Sequence, residues 1–331
     1  MNSLTPKPPR IGIALSGGAA RGLAHIGVLK ALEEESIPID IIAGTSAGAA
    51  IGACYAEQSD ANILEKTALD LNWKIMTRLA DLNLLLLGKG IFQGQKVMSL
   101  LSSIIGDVQF EDLKIPFAAV ATDIQSMEEI VIDKGSVLEA VRASISMPVI
   151  FTPVKWQTRF LIDGGVVNPM PVNVARSMGA DIVIAVNVVA ITHQNKCKNS
   201  IVKKKETEQN HRIEEAHSSV AKKGADNLIR KDNSEANIFD KLYNIANAKI
   251  NISKKNIDPE TPNILTVLMQ SIYAMQYEKI RLASKSADIV IIPDIKDIGE
   301  FGFHKGSEAI AQGYKATKDI LPRLQKMIRC P

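Results

Sequence analysis

The chain has 331 residues, 46% hydrophobic and 23% charged, with a formal net charge of +3 at pH 7. That balance fits a soluble globular protein of one large α/β domain or two modest ones, long enough to bury a sizeable core, and it excludes fibrous and mostly disordered classes. So small a charge argues against nucleic acid as a partner, and the three widely separated cysteines, Cys54, Cys197 and Cys330, suggest neither a disulfide framework nor a metal site.

Residues 1–10 hold three prolines and no apolar segment of the signal-peptide kind, and no run approaches the ~18 to 20 apolar residues of a membrane span. The expectation is a cytoplasmic protein that meets a membrane, if at all, at its surface.

Residues 10–15 read as a buried strand that runs into Ser16-Gly17-Gly18-Ala19-Ala20-Arg21-Gly22, followed by a helical pattern over 23–35. Adjacent glycines at a strand end imply backbone amides that approach something closely, either a phosphate or the oxyanion of an acyl-transfer reaction. The spacing is neither G-x-G-x-x-G nor G-x-x-x-x-G-K-[ST], and the second strand ends in Gly-Thr-Ser where a ribose-binding acid would stand, so the oxyanion reading is preferred. Arg21 either anchors the loop, meets an acidic head group or is a plain surface residue.

The second strand, 38–43, leads into Gly44-Thr45-Ser46-Ala47-Gly48 and a small-residue helix over 47–57. A serine that attacks a carbonyl must stand clear of its neighbours on a sharp strand-to-helix turn, and Gly44 and Gly48 flank Ser46 where side chains would collide. Cys54 reads as a packed small hydrophobe on this helix. Residues 56–105 are helical with breaks, and the leucine run within 82–92 is either core or a wall over an acyl site.

Strands are expected at 115–122 and 130–133, a short helix at 137–144 stopped before Pro148, and a strand through Phe160-Leu161-Ile162 that ends in Asp163-Gly164-Gly165. Asp163 points into the Ser46 crevice or simply forms a β-turn, for which Asp-Gly is a strong signal in its own right. A rigid turn at 168–171 precedes a helix over 172–178 and a buried strand over 182–189.

Residues 191–260 turn to Lys, Asn, Glu and Ser, and read as a polar, partly disordered insertion with unassigned function; its lysines at 203–205 and 222–223 meet anionic lipid or are solvated charge. A long helix follows from 261 to about 283 with Ile264, Leu265, Leu268, Ile272 and Met275 on one side. A last strand at 287–292 and a helix over 305–327, with Gly313 inside it and Pro322 as a candidate break, close the chain. Strands alternating with helices imply a mostly parallel sheet covered on both faces.

Of the five histidines, His193, His211 and His217 fall in the polar insertion, His25 packs or supports the glycine loop, and His304 completes a formal Ser, Asp, His order. The serine turn comes after the second strand with the glycine loop at the first, which suits a Ser–Asp dyad better than an α/β-hydrolase triad.

These blocks, with His25-Ile26-Gly27-Val28-Leu29, the run from Ser144 through Pro148 to Phe151, and Asp163-Gly164-Gly165, resemble those of bacterial patatin-like phospholipases in content and order. The resemblance implies a patatin-like three-layer α/β/α fold over residues 8–190 and 261–328, interrupted by the 191–260 insertion. It implies Ser46 as nucleophile, Asp163 as base, and the amides of Gly17, Gly18 and Ala19 as oxyanion hole. Arg21, Gly22, Gly44, Gly48, Gly164 and Gly165 would support the motifs. No cofactor or metal is implied. The substrate would be a phospholipid, a lysophospholipid or another acyl ester. Ala19 departs from the family's third glycine, keeping the N–H but resisting positive φ. A non-catalytic lipid- or partner-binding protein and a short-chain esterase with a triad through His304 stand as alternatives.

Overall fold

The computed structural model describes residues 8–80, 95–148, 150–189, 264–299 and 302–329. By contact density the chain divides into one unit of Met1–Ile191 with Ser271–Pro331 and a second of Thr192–Gln270. The leucine run at 82–92, the lysines of the 191–260 segment, His193, His211, His217, Cys197 and Cys330 lie outside the described residues.

Eight strands form one sheet: β1 Ile11–Leu15, β2 Ile41–Thr45, β3 Phe117–Asp123, β4 Glu129–Ile132, β5 Val154–Trp156, β6 Arg159–Asp163, β7 Ile182–Val186 and β8 Ile289–Ile291. Their order is β5-β6-β3-β2-β1-β7-β8, with β4 also paired to β3. The central strands β3, β2, β1, β7 and β8 are parallel, while β4 and β6 run antiparallel to β3 and β5 antiparallel to β6.

The central strands are apolar at almost every position because both faces are covered. Ile13, Leu15, Ile42, Phe117 and Ile184 point to a core shared with helices α1 Ala24–Glu34, α2 Ala47–Gln58, α5 Val137–Ser144 and α8 Gly306–Arg329. Ala14, Ile41, Ala43, Val120 and Val183 point the other way, onto α6 Val172–Ser177 and α7 Ile264–Ser286. The result is the three-layer α/β/α fold, mostly parallel at its centre. Helices α3 Ala61–Ala80 and α4 Gln95–Ile105 lie between β2 and β3 in the chain.

Several boundaries differ from the pattern. β2 begins at Ile41, not at 38, because the Asp40 carboxylate accepts the Ile11 N–H at 2.7 Å and closes the preceding residues as a connector. The first helix is preceded by a 3-10 turn, Ala19–Leu23. On α7, Met275 is 54% exposed whereas Ile272 and Ile280 are buried, so the inward stripe runs along 272 and 280. Pro322 does not break α8, which continues to Arg329. A mid-helix proline costs about 3 kcal/mol, and burial of Leu321 and Leu324 beside it offsets that cost. Gly313 has a packing reason: a methyl there would sit 1.9 Å from the Ala24 carbonyl oxygen, and one on Gly27 would sit 1.8 Å from that of Ile310. The two glycines let α1 and α8 touch backbone to backbone.

Candidate active site

Ser46 occupies the junction of β2 and α2 with φ 54° and ψ −119°, a conformation that L-residues rarely adopt. The turn is tight enough that a methyl on Gly48 would lie 2.2 Å from the Leu15 carbonyl oxygen, and one on Gly44 2.6 Å from Ala49 Cα. Glycine at both places follows from that close approach. The Ser46 N–H donates to Ser144 Oγ at 2.8 Å, and that hydroxyl donates in turn to the Val120 carbonyl at 2.6 Å.

Asp163 arrives from the other direction. β3 is longer than β2: Thr45 pairs with Val120, and the overhang that begins at Ala121 pairs on the same side with β6, whose last residue, Asp163, lies opposite Ala121. Thus β6 runs head-on toward the end of β2. The Ser46 hydroxyl donates to Asp163 Oδ2 at 2.7 Å, and the Gly165 N–H donates to Oδ1 at 2.7 Å. Thr122 Oγ1 donates to the Asp163 carbonyl, and the Asp163 N–H donates to the Ser146 carbonyl, each at 2.9 Å. A methyl on Gly164 would meet the Val120 carbonyl oxygen at 2.2 Å, which keeps the aspartate turn low against β3.

Both side chains are largely buried, Ser46 at 7% exposure and Asp163 at 5%. Burial pushes the Asp163 carboxyl up to about 6, against the opposing pull of the Ser46 and Gly165 hydrogen bonds. A carboxylate with that affinity for a proton, hydrogen-bonded to a hydroxyl, suits proton transfer near neutral pH.

The glycine loop lies beside this pair. A methyl on Gly17 would be in ordinary contact with Ser46 Cβ at 3.5 Å, and one on Gly22 would overlap Ala47 Cβ. The N–H of Gly17 donates to the Pro169 carbonyl at 3.0 Å. That differs from the expectation of three oxyanion donors: the Gly17 amide is engaged in fixing the loop. The amides of Gly18 and Ala19 carry no hydrogen bond among the described residues. Ala19 adopts φ 50°, so alanine takes the left-handed conformation the loop requires.

Arg21 is 5% exposed, and its Nε donates to the Ile298 carbonyl at 2.7 Å. It is therefore not a plain surface residue. His25 is fully buried and its Nε2 meets the Ser16 carbonyl at 2.8 Å, while burial holds its pKa down to about 4. It is therefore neutral at pH 7, donates through Nε2 and braces the loop. His304 is exposed in the 3-10 turn Phe303–Lys305. No histidine bonds Ser46 or Asp163 among the described residues. Cys54 is buried and its thiol is pushed up to about 12, as a packed hydrophobe requires.

Ser144, Thr122 and Pro169 hold the site together and carried no role in the sequence reading. Ser144 opened one of the quoted blocks; the other two gave no signal beyond strand and turn character. Among the described residues no group of three or more His, Cys, Asp or Glu side chains is set to hold a metal ion, and no helix is long and apolar enough to cross a membrane.

A strained serine bonded to a buried carboxylate, beside two free backbone amides, is a constellation for acyl transfer. The model of the family described as patatin-like phospholipase matches residues 13–176, a span that includes the loop, Ser46 and Asp163. Those residues belong to the patatin-like phospholipase family. The patatin-like domain is 40% identical over 183 residues to patatin-like phospholipase domain-containing protein 6 of Homo sapiens, covering 54% of this chain and 13% of that protein. It is 38% identical over 184 residues to an uncharacterized NTE family protein of Mycobacterium tuberculosis, covering 54% of this chain and 49% of the other. The chain thus matches half or less of the length of these relatives. VipD from Legionella pneumophila aligns with a TM-score of 0.41 and 14% identity over 96% of this chain and 67% of that one. Membership of the family supports lipid acyl hydrolysis in general.

Proposed function

We propose that this patatin-like domain hydrolyses carboxylic esters of phospholipids, lysophospholipids or related acyl lipids through a Ser46–Asp163 dyad, without a metal. The observation that carries the reading is the 2.7 Å hydrogen bond from Ser46 Oγ to a carboxylate whose proton affinity is raised by burial. Asp163 takes the Ser46 proton as Oγ attacks the ester carbonyl. The free amides of Gly18 and Ala19 receive the developing oxyanion, and Asp163 returns the proton to the leaving alcohol. Water then attacks the acyl carbon and gives a proton to Asp163, the Ser46 Oγ–acyl bond breaks to release the fatty acid, and Asp163 passes that proton to Oγ. Gly17 acts in this scheme by holding the loop rather than by donating to the oxyanion. Surface contact with a lipid phase is part of the proposal, as is a cytoplasmic location.

The test is hydrolysis of acyl esters graded from two-carbon to long-chain and lysophospholipid, by wild type, Ser46→Ala, Asp163→Asn and His304→Ala. The dyad reading expects activity on the longer chains that is lost in the first two variants and kept in His304→Ala. Retention of activity in Asp163→Asn, or its loss in His304→Ala, would sink it.

A further inference from the structure

The inward stripe of α7 contains a polar interruption. Ile272 and Ile280, eight residues apart, are both buried, and Gln276 lies midway between them on the same face, half-buried, while Met275 and Tyr277 on either side are exposed. The Gln276 side chain makes no hydrogen bond among the described residues.

Its position is specific. A methyl placed on Gly165 would lie 2.7 Å from Gln276 Nε2 and 3.0 Å from Asp163 Oδ1. The amide nitrogen and the carboxylate oxygen are therefore at most about 5.7 Å apart beside Gly165, with no direct bond between them, a span that one water can bridge. A side chain at 165 would push Gln276 away from the carboxylate, which gives the second glycine of the Asp163-Gly164-Gly165 turn a role beyond the turn. Gln276 lies outside residues 13–176, so the family match does not reach it.

We propose that Gln276 is a positioning residue for the second half of the reaction, holding the hydrolytic water against Asp163; this rests on the Ser46–Asp163 reading. In that step the water oxygen bonds to the acyl carbon, its proton passes to Asp163, the Ser46 Oγ–acyl bond breaks, and the proton passes on to Oγ. The first half of the reaction uses no water and does not need Gln276.

The experiment compares wild type, Gln276→Leu, Gln276→Ala and Ser46→Ala with a p-nitrophenyl acyl ester, following steady-state kinetics and the intact protein mass. Leucine suits the apolar stripe, so the melting temperature of Gln276→Leu should equal or exceed that of wild type. The expected result is a fall in kcat of roughly 10- to 100-fold with kcat/KM nearly unchanged, and an accumulated acyl adduct in both Gln276 variants. Hydroxylamine, a stronger nucleophile than water, should restore turnover. Unchanged kcat, or kcat and kcat/KM falling together without an adduct, overturns the role of Gln276 alone. An adduct that persists in Ser46→Ala overturns the dyad reading beneath it.

Discussion

Ser46 and Asp163, the two members of the proposed dyad, are held in unlike ways. Ser46 is aimed mainly by its own stretch of chain, through the positive φ of the turn and the glycines two residues to either side. Asp163 is aimed by distant residues: its register against Ala121, the Thr122 hydroxyl on its carbonyl and the Ser146 carbonyl on its N–H. The serine turn stores strain at one point, whereas the aspartate depends on a strand pairing that any shift along β3 would undo. A site joined from a local turn and a long-range register is only as exact as the register.

The contrast can be broken at either end. The largest effect is expected from Gly48→Val, whose Cβ would press on the Leu15 carbonyl oxygen at 2.2 Å, a β1 backbone atom in the middle of the sheet. We expect a loss of more than ~3 kcal/mol, or no folded protein, measured by urea unfolding. A Gly48→Val protein with an unchanged midpoint would mean that the turn is looser than described.

Acid and base sharpen the aspartate side. The Asp163 carboxyl is raised to about 6 in the fold, so the folded state holds its proton more tightly than the unfolded chain. That contribution is full below the ordinary carboxylate range and is lost as pH rises through about 6. Against Asp163→Asn, the wild type should lose stability on the order of 2 kcal/mol between pH 4 and pH 7. His25, held neutral by burial, has the opposite dependence, but it is common to both proteins and cancels in the difference. The rate should climb with pH through about 6 as the carboxylate forms. A flat difference in stability together with a flat rate profile would contradict the burial of Asp163.

Thr122→Val tests the register more gently, by removing the hydroxyl that donates to the Asp163 carbonyl at 2.9 Å. We expect about 1–3 kcal/mol of destabilisation and a drop in kcat larger than the same loss of stability produces at a site remote from Asp163. Equal effects at both sites would make Thr122 a simple core residue. The smallest effect is expected from Ala19→Gly. It relieves the positive φ at Ala19, worth about 1–2 kcal/mol, and gives back part of that through the greater freedom of the unfolded chain. Melting temperature and turnover should change little; a marked loss of activity would show that the methyl group helps to aim the loop.

Much of the fold was legible because the strands are apolar runs bounded by turn residues and the helices have long, regular patterns. The helix Val137–Ser144 was read to the residue, and β1 and α2 to within one. Pro322 misled because local propensity cannot weigh the burial of Leu321 and Leu324. Met275 misled because hydrophobicity alone placed it beside Ile272 on the inner side, where the less exposed residue is the polar Gln276.

By itself the sequence determined which chemistry-bearing residues stand at strand ends, since a turn this tight demands glycine at 44 and 48 and leaves Ser46 as its apex. It also determined the layered α/β architecture, because runs apolar on both faces must be covered on both faces. Only the tertiary structure decided that Asp163 bonds Ser46, that Gly17 commits its amide to Pro169, that Arg21 is buried against the Ile298 carbonyl, and that Gln276 lies close to the carboxylate. Each of these depends on a partner more than a hundred residues away in the chain. Propensity and spacing act over a few residues and carry no record of such partners; strand register and helix packing do.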